Sequence, residues 1–355
     1  MTSGYVGKIE KIMNEKDVSI FAHIPLYLLS LAYGFVVATR NKLFDKGFFE
    51  ARELECKVVS VGNLTVGGSG KTPMTLYLAE YFRDKGFKPV ILSRGYKGKI
   101  SGVSIVTDGN KIFLGPEESG DEPYLMATKL KEVPIIVSRN RYEGGLVAIK
   151  EFDPDVIILD DGFQHRGLKR DLNIVLVDSV RNFGNEYLVP RGILREPVKS
   201  IGRADLMMLK GGDDSADMSF NKSIVKFSYA PKGIFAGNSG SEEDVEFLKG
   251  KNVITVSAIA SPKGFVSTVE KIGAVIKENL IYTDHYDYEE EDLEEINDIA
   301  LKNDNSIVVT TEKDYVKLNG LSGSLKNVWV LKVGVQIDSG EEELLEKIEE
   351  KILQA

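Results

Sequence analysis

The sequence predicts an α/β fold, a doubly wound and mostly parallel sheet with helices on both faces, on three observations. From Lys57 onward, short β-branched runs alternate with helix-like stretches. The runs are apolar at consecutive positions rather than at every second one, the mark of strands covered on both sides. A glycine-rich segment, "VGGSGKT", joins the first run to the first helix of the set, where such sheets hold phosphate.

The elements follow in order. "KVVSV" from Lys57 is a strand and the residues after Lys71 a helix; "PVILS" (Pro89 to Ser93) is the next strand. A helix runs from Asp121 through "DEPYLMATKLKE", "PIIV" from Pro134 is a strand, and a helix covers Tyr142 to Phe152. "DVIILDD" from Asp155, "NIVLVD" from Asn173 and "DLMML" from Asp205 complete a first domain, 51–222. Gly211, Gly212, Asp213, Asp214 and "GIFAGNSGSEEDVEFLKGKN" read as turns and connections. A smaller α/β domain, 223–355, follows: strands at Val253 to Ala260, Ser306 to Thr311 and Val328 to Val333, helices at Pro262 to Lys277 and Glu289 to Lys302. Leu344, Ile348 and Ile352 at i, i+4 spacing mark an amphipathic packing helix at the end.

Length and composition narrow the function. At 355 residues the chain has room for two cores. A net charge of −9 and a pI near 5.2 argue against nucleic acid, whose binders need a basic face. The single cysteine, Cys56, excludes an internal disulfide framework and a cysteine-based zinc site, and fits a reducing cytoplasm. A monomer is expected.

The first 50 residues carry an apolar run, "VSIFAHIPLYLLSLAYGFVVA" (Val18 to Ala38), 21 residues without an acid, Lys or Arg. As one helix it would measure roughly 31 Å, just enough for a bilayer core. Pro25 suits a first turn, so a helix starting there would be too short to cross and would lie in the interface. Lysines precede it (Lys8, Lys11, Lys16) and Arg40, Lys42 and Lys46 follow it, which leaves orientation open. The alternatives are membrane attachment, spanning or interfacial, and a buried core helix; a cleaved signal peptide fits poorly, because the run begins late and lacks a small-x-small exit.

The glycine loop is the strongest chemical signal. Gly67, Gly68 and Gly70 lack Cβ atoms, so successive N–H groups can wrap an anion; Thr65, Val66 and Ser69 complete the loop, Lys71 adds a point charge and Thr72 a hydroxyl for Mg²⁺. Thr65 stands where the strict Walker A pattern has its first glycine. The domain is thus P-loop NTPase-like.

Three acidic clusters compete for the remaining chemistry. Asp160 and Asp161 end an apolar strand, where a P-loop enzyme keeps the acid that holds Mg²⁺; Asp-Asp-Gly is also a good turn sequence. Asp121 and Glu122 open a helix: Asp121 is either its N-cap or a general base for an attacking hydroxyl. Asp284, His285 and Asp287 lie in "YTDHYDY", where a histidine beside aspartates is either structural or tunes a carboxylate of the first domain. Arg94 and Tyr96, Arg139 and Arg141, and Arg191 and Arg195 sit in loops at strand ends, as phosphate forks or as ordinary surface arginines.

In this order, "VGNLTVGGSGKTP", "LSRGYKG", "GDEP", "LDDGFQHRGLKRDLNIVLVD", "LVPRGILREP", "YTDHYDY" and "TTEKDYVKL" resemble the tetraacyldisaccharide 4′-kinases, the lipid A 4′-kinases of Gram-negative envelope synthesis. The blocks span about Cys56 to Leu318, and Thr65 in the loop is the form this family uses. The resemblance implies Mg²⁺-dependent transfer of the ATP γ-phosphate to the 4′-hydroxyl of an acylated glucosamine disaccharide 1-phosphate, at the cytoplasmic face of the inner membrane. It implies Lys71 on the β/γ-phosphates, Thr72 with Asp160 or Asp161 on Mg²⁺, Asp121 as base with His285 as its partner, and Glu122 as a helper. Domain closure would then complete the site. The arginines and Tyr96 would meet the lipid headgroup, and the apolar segment would bring the enzyme to its substrate. Arg191, where a small residue is expected, and Tyr286, where a second histidine is frequent, depart from the family form. A P-loop kinase for a soluble acceptor would need no apolar segment, and a partitioning-type membrane ATPase would need a second lysine early in the loop.

Overall fold

A computed structural model describes residues 20–67, 70–211, 222–284, 286–321 and 325–353. Of the sequence-predicted features, Gly68, Ser69, Gly212, Asp213, Asp214, His285 and the first two residues of the apolar run lie outside the described residues.

The chain opens with helix α1 (Ile20–Asp45) and enters the sheet at β1 (Lys57–Asn63). There follow α2 (Lys71–Asp84), β2 (Pro89–Ser93), β3 (Val103–Thr107), α3 (Pro116–Ser119), α4 (Asp121–Lys129), β4 (Ile135–Ser138), α5 (Arg141–Phe152), β5 (Val156–Asp160), β6 (Leu172–Asp178) and β7 (Leu206–Lys210). The second part contains β8 (Ser223–Ala236), β9 (Glu242–Glu243), β10 (Asn252–Ser257), α6 (Pro262–Ile272), β11 (Val275–Ile281), α7 (Glu290–Lys302), β12 (Ile307–Thr311), α8 (Glu312–Leu318), β13 (Val328–Ser339) and α9 (Glu341–Ile348).

Among the described residues the strands form one sheet in the order β11-β10-β12-β13-β8-β7-β6-β1-β5-β2-β4-β3, with β9 against β8. Pairing is parallel except at β8/β13, β8/β9 and β3/β4. Consecutive residues of β1 go to opposite layers: Val59 and Val61 pack with Met74, Leu78 and Phe82 of α2, while Val58 joins Val90, Ile157 and Ala148 on the α5 side. That alternation is why these strands read as unbroken apolar runs. Leu344, Ile348 and Ile352, as expected from their spacing, are buried, and they join the α2 layer.

The long antiparallel ribbon of β8 and β13 sets the shape of the molecule. The C-terminal end of β7 reaches β8 at Phe227, and that of β12 reaches it, through Leu331, at Ile234. The two parallel sets therefore run in opposite senses along the ribbon. Their C-terminal ends face each other across a stretch of roughly 23 Å at about 3.3 Å per residue. Open α/β sheets bind ligands at strand C-termini, and here two such ends meet at one cleft.

Some expectations need correction. The stretch from Gly233 to Ala236, read as connection, is the end of β8, next to a register shift opposite Lys332 and Val333 that the ribbon absorbs. The helix expected to reach Lys277 ends at Ile272, because Gly273 adopts φ +96°, and Val275 begins the edge strand β11. Helix α1 does not start at Pro25 but runs through it. No helix among the described residues is long and apolar enough to cross a membrane.

Candidate active site

The cleft holds a cavity of about 1100 Å³. One wall comes from the turn between β1 and α2. Gly70 caps α2 at φ +80°, with no side-chain cap. A Cβ there would stand 1.4 Å from Tyr229 Oη, which donates to the Gly70 carbonyl at 2.9 Å. Only glycine fits so close an approach in this conformation. The entry to the loop is pinned by "PRGILREP": Val66 N donates to Ile193 O (2.7 Å) and Arg195 N to Leu64 O (2.7 Å). This pairing places Arg195 over the aspartates.

Asp160 and Asp161 end β5, the neighbour of β1, and behave differently. Asp161, at φ +52°, accepts from Arg195 Nη1 on both oxygens (2.9 and 2.8 Å) and lies 3.7 Å from Lys71 Nζ. Burial pushes its carboxyl up, but Lys71 and Arg195 outweigh it and hold the group below the usual carboxylate range. Asp160 is buried, accepting from Ser93 Oγ (3.0 Å) and Thr75 Oγ1 (3.4 Å). Desolvation, then the charges of Glu122 and Asp161, raise its carboxyl above the usual range, against Lys71 and Ser93. Thr72, beside Lys71, is buried in the first turn of α2.

Asp121 is not an N-cap. Gly120 holds that position, and the Asp121 carboxylate instead meets Lys317 Nζ of α8 at 3.2 Å. Glu122 follows it in the first turn, on the cavity wall. Arg94, Tyr96 and Arg139 are exposed and line the same cavity. Arg141 lines it from a buried position, donating to the carbonyls of Ser138 and Asp160; burial lowers its pKa to about 10 despite the pull of Asp160 and Asp161. Arg191 lies outside the cavity wall, its guanidinium 4.1 Å from the Tyr187 ring centroid. Asp284 faces Lys313 at 3.4 Å, and Asp287 accepts from Lys317 at 2.8 Å. Tyr286, the departure from the family form, stacks with Tyr282 and Tyr288.

Several wall residues were not anticipated. Tyr33 and Arg40 reach the cavity from α1. Tyr33 Oη donates to Arg195 O (2.9 Å), while Arg40 and Asn41 bind the buried Glu196 at 3.0 and 2.8 Å. Polar residues on one face of an otherwise apolar helix were the signal. Gln164 donates to Asn63 O (2.7 Å), and His165 is kept neutral, its pKa lowered to about 4 by burial and by Arg141, Arg170, Arg40 and Arg94. Both belong to "GFQH", which the sequence reading quoted without giving Gln164 a role.

A glycine loop at a helix N-terminus, a lysine behind it and paired aspartates at the end of the adjacent strand define a P-loop nucleotide-binding protein built on an α/β sheet. Residues 22–353 match the family LpxK, tetraacyldisaccharide-1-P 4′-kinase, and the chain belongs to that family. The tetraacyldisaccharide 4′-kinase of Syntrophus aciditrophicus is 40% identical over 322 residues, covering 85% of this chain and 86% of that protein. The enzyme of Aquifex aeolicus is 40% identical over 320 residues, 90% of this chain and 95% of that one. A crystal structure of LpxK from Aquifex aeolicus in complex with ATP superposes with a TM-score of 0.75 at 35% identity, covering 93% of this chain and 98% of that one.

Proposed function

We propose that this chain transfers the γ-phosphate of ATP to the 4′-hydroxyl of a tetraacylated glucosamine disaccharide 1-phosphate, with Asp121 as the general base. As the new O–P bond forms, Asp121 takes the hydroxyl proton, the bridging β,γ O–P bond breaks and ADP leaves. Lys71 and Arg195, which now lie against Asp161, are the cations that the γ-phosphate would draw away.

Thr72 with Asp160 or Asp161 would hold Mg²⁺. Burial and, after it, the charges of Glu122 and Asp161 raise Asp160, a cost that a divalent cation would relieve, and oxygen donors suit it. Phosphate and water oxygens would complete the shell of a cation held there. Bound there, it would neutralise the β,γ-oxygens.

The observation that carries the lipid acceptor is the two-sided character of α1. Ile24, Leu28, Leu31 and Phe35 recur on one face and are exposed, Phe35 at 74%. The opposite face sends Ser30 and Tyr33 to carbonyls of the body and Arg40 to Glu196. The helix is thus polar toward the protein and apolar outward, which favours an interfacial helix at the cytoplasmic face of the inner membrane. Arg94, Tyr96, Arg139, Arg141 and Arg195 would meet the headgroup. The 223–355 segment, which carries His285 as the expected partner of Asp121, would act as a second domain whose closure excludes water.

The test is transfer from γ-labelled ATP to the tetraacyldisaccharide 1-phosphate in mixed micelles. Wild type is expected to form the bisphosphate, and Lys71→Ala and Asp121→Asn to lose on the order of 10²-fold or more in rate. ATP hydrolysis without lipid phosphorylation would remove the acceptor from the proposal. Replacing Leu28 and Phe35 by Asp is expected to reduce co-sedimentation with vesicles.

A further inference from the structure

Lys317 occupies a position that the proposed chemistry has not used. Among the described residues its ammonium meets Asp121 Oδ2 at 3.2 Å, Asp287 Oδ1 at 2.8 Å and the Tyr286 carbonyl at 2.9 Å. The side chain is 11% exposed. Asp121 and Lys317 come from opposite sides of the cleft, and the other two acceptors belong to the loop between β11 and α7.

The helix bearing Lys317 is itself firmly held. Asp314, in its first turn, accepts from Ala258 N (3.0 Å), Tyr288 Oη (3.3 Å) and Thr311 Oγ1 (2.6 Å). A second pair joins the same two helices in reverse order: Lys129 at the end of α4 meets Glu312 at the start of α8, 2.9 Å apart. So α4 is gripped at both ends by α8, and the grip closes on the carboxylate at its N-terminus.

We propose that Lys317 is the positioning residue for Asp121, setting the carboxylate's direction from the far wall of the cleft and tying it to the loop of residues 282–288. The inference rests on Asp121 being the base. An ammonium suits the task because it offers three donors in a tetrahedral spread, whereas a guanidinium presents a longer planar fork. Misplacing a reacting group by about 1 Å costs up to 10²-fold in rate, so alignment alone is a sufficient role.

The experiment is a double-mutant cycle on the full chain, measuring kcat and the KM for ATP in the lipid kinase assay. Lys317→Met is expected to lower kcat by about 10-fold or more with the KM for ATP within about 2-fold, and to add nothing further in an Asp121→Asn background. Full kcat in Lys317→Met, or losses that multiply in the double variant, would overturn the proposal. Full kcat in Asp121→Asn would instead overturn the base assignment. Asp287→Asn removes an exposed anchor of the ammonium and leaves the cores intact. It is expected to lower kcat by less than Lys317→Met, again without moving the KM for ATP, and an unchanged kcat there also counts against the proposal should Lys317→Met fail to fold.

Discussion

The turn from β1 into α2 and the turn from β12 into α8 face each other across the same cleft, and they end their strands in opposite ways. At the first, Gly70 caps the helix in the left-handed region and contributes no side chain. At the second, Thr311 caps α8 by accepting from Asp314 N at 3.1 Å, and the Asp314 carboxylate is consumed by Ala258, Tyr288 and Thr311. A helix N-terminus carries orphan N–H groups and a positive dipole end. The turn at α8 answers that need from within, so it is structure. At α2 the capping residue, Gly70, has no side chain to answer it, and a phosphate can.

Exchanging these habits should damage different properties. The largest expected effect is at Gly70: Gly70→Ala would drive a Cβ into Tyr229, and ATP turnover should fall on the order of 10²-fold or more, with binding of a fluorescent ATP analogue lost alongside it. Adding Tyr229→Ala should not restore it, because the positive φ remains unfavourable. At the other turn, Asp314→Ala should cost about 2–4 kcal/mol in urea unfolding by stranding buried donors, while the KM for ATP stays near wild type. Thr311→Ala removes only the cap and should cost about 1 kcal/mol in the same measurement, with Thr311→Ser recovering most of it.

A separate, pH-dependent effect belongs to His165, which lines the cleft outside both turns. Burial and the surrounding arginines hold its folded pKa at about 4, below that of a free histidine. Between these values the unfolded chain takes up a proton that the native state refuses, so stability falls as pH drops from about 6.5 toward 4. His165→Gln should flatten that part of the curve. Urea midpoints at pH 7 and pH 5 for both proteins measure it, and an equal drop in the two would remove His165 as a source of acid sensitivity.

The first half of the sheet was legible because its strands are buried on both faces and say so in every residue: Val58, Val59 and Val61 in β1, Ile157, Ile158 and Leu159 in β5. The ribbon was harder to read. The end of β8, from Gly233, opens a glycine-rich stretch that reads as turns, and only pairing with β13 makes it strand. Polar residues in β11, such as Lys277, Glu278 and Asn279, reflect a sheet edge, where one-sided burial weakens the apolar signal.

The candidate site shows the same division. Lys71, Thr72, Asp160 and Asp161 are close in sequence to the features that give them meaning, and all line the cavity. Lys317 stood in a recognised block without a role because its partner, Asp121, lies on the other side of the cleft. Tyr33 and Arg40 were hidden in a segment whose hydropathy dominated the reading.

By itself, then, the sequence determined the doubly wound sheet and the phosphate loop, because each rests on local spacing: apolar runs, glycines without Cβ atoms, an acid pair at a strand end. The kinase family followed from the resemblance of seven ordered blocks. Only the tertiary structure decided that the strand ends of two parallel sets meet at one cavity, that α1 turns its polar face inward, and that Asp121 answers to Lys317 instead of capping its own helix. Those outcomes depend on which groups a long antiparallel ribbon brings within about 3 Å of one another, and hydrogen bonds and ion pairs act only at that range.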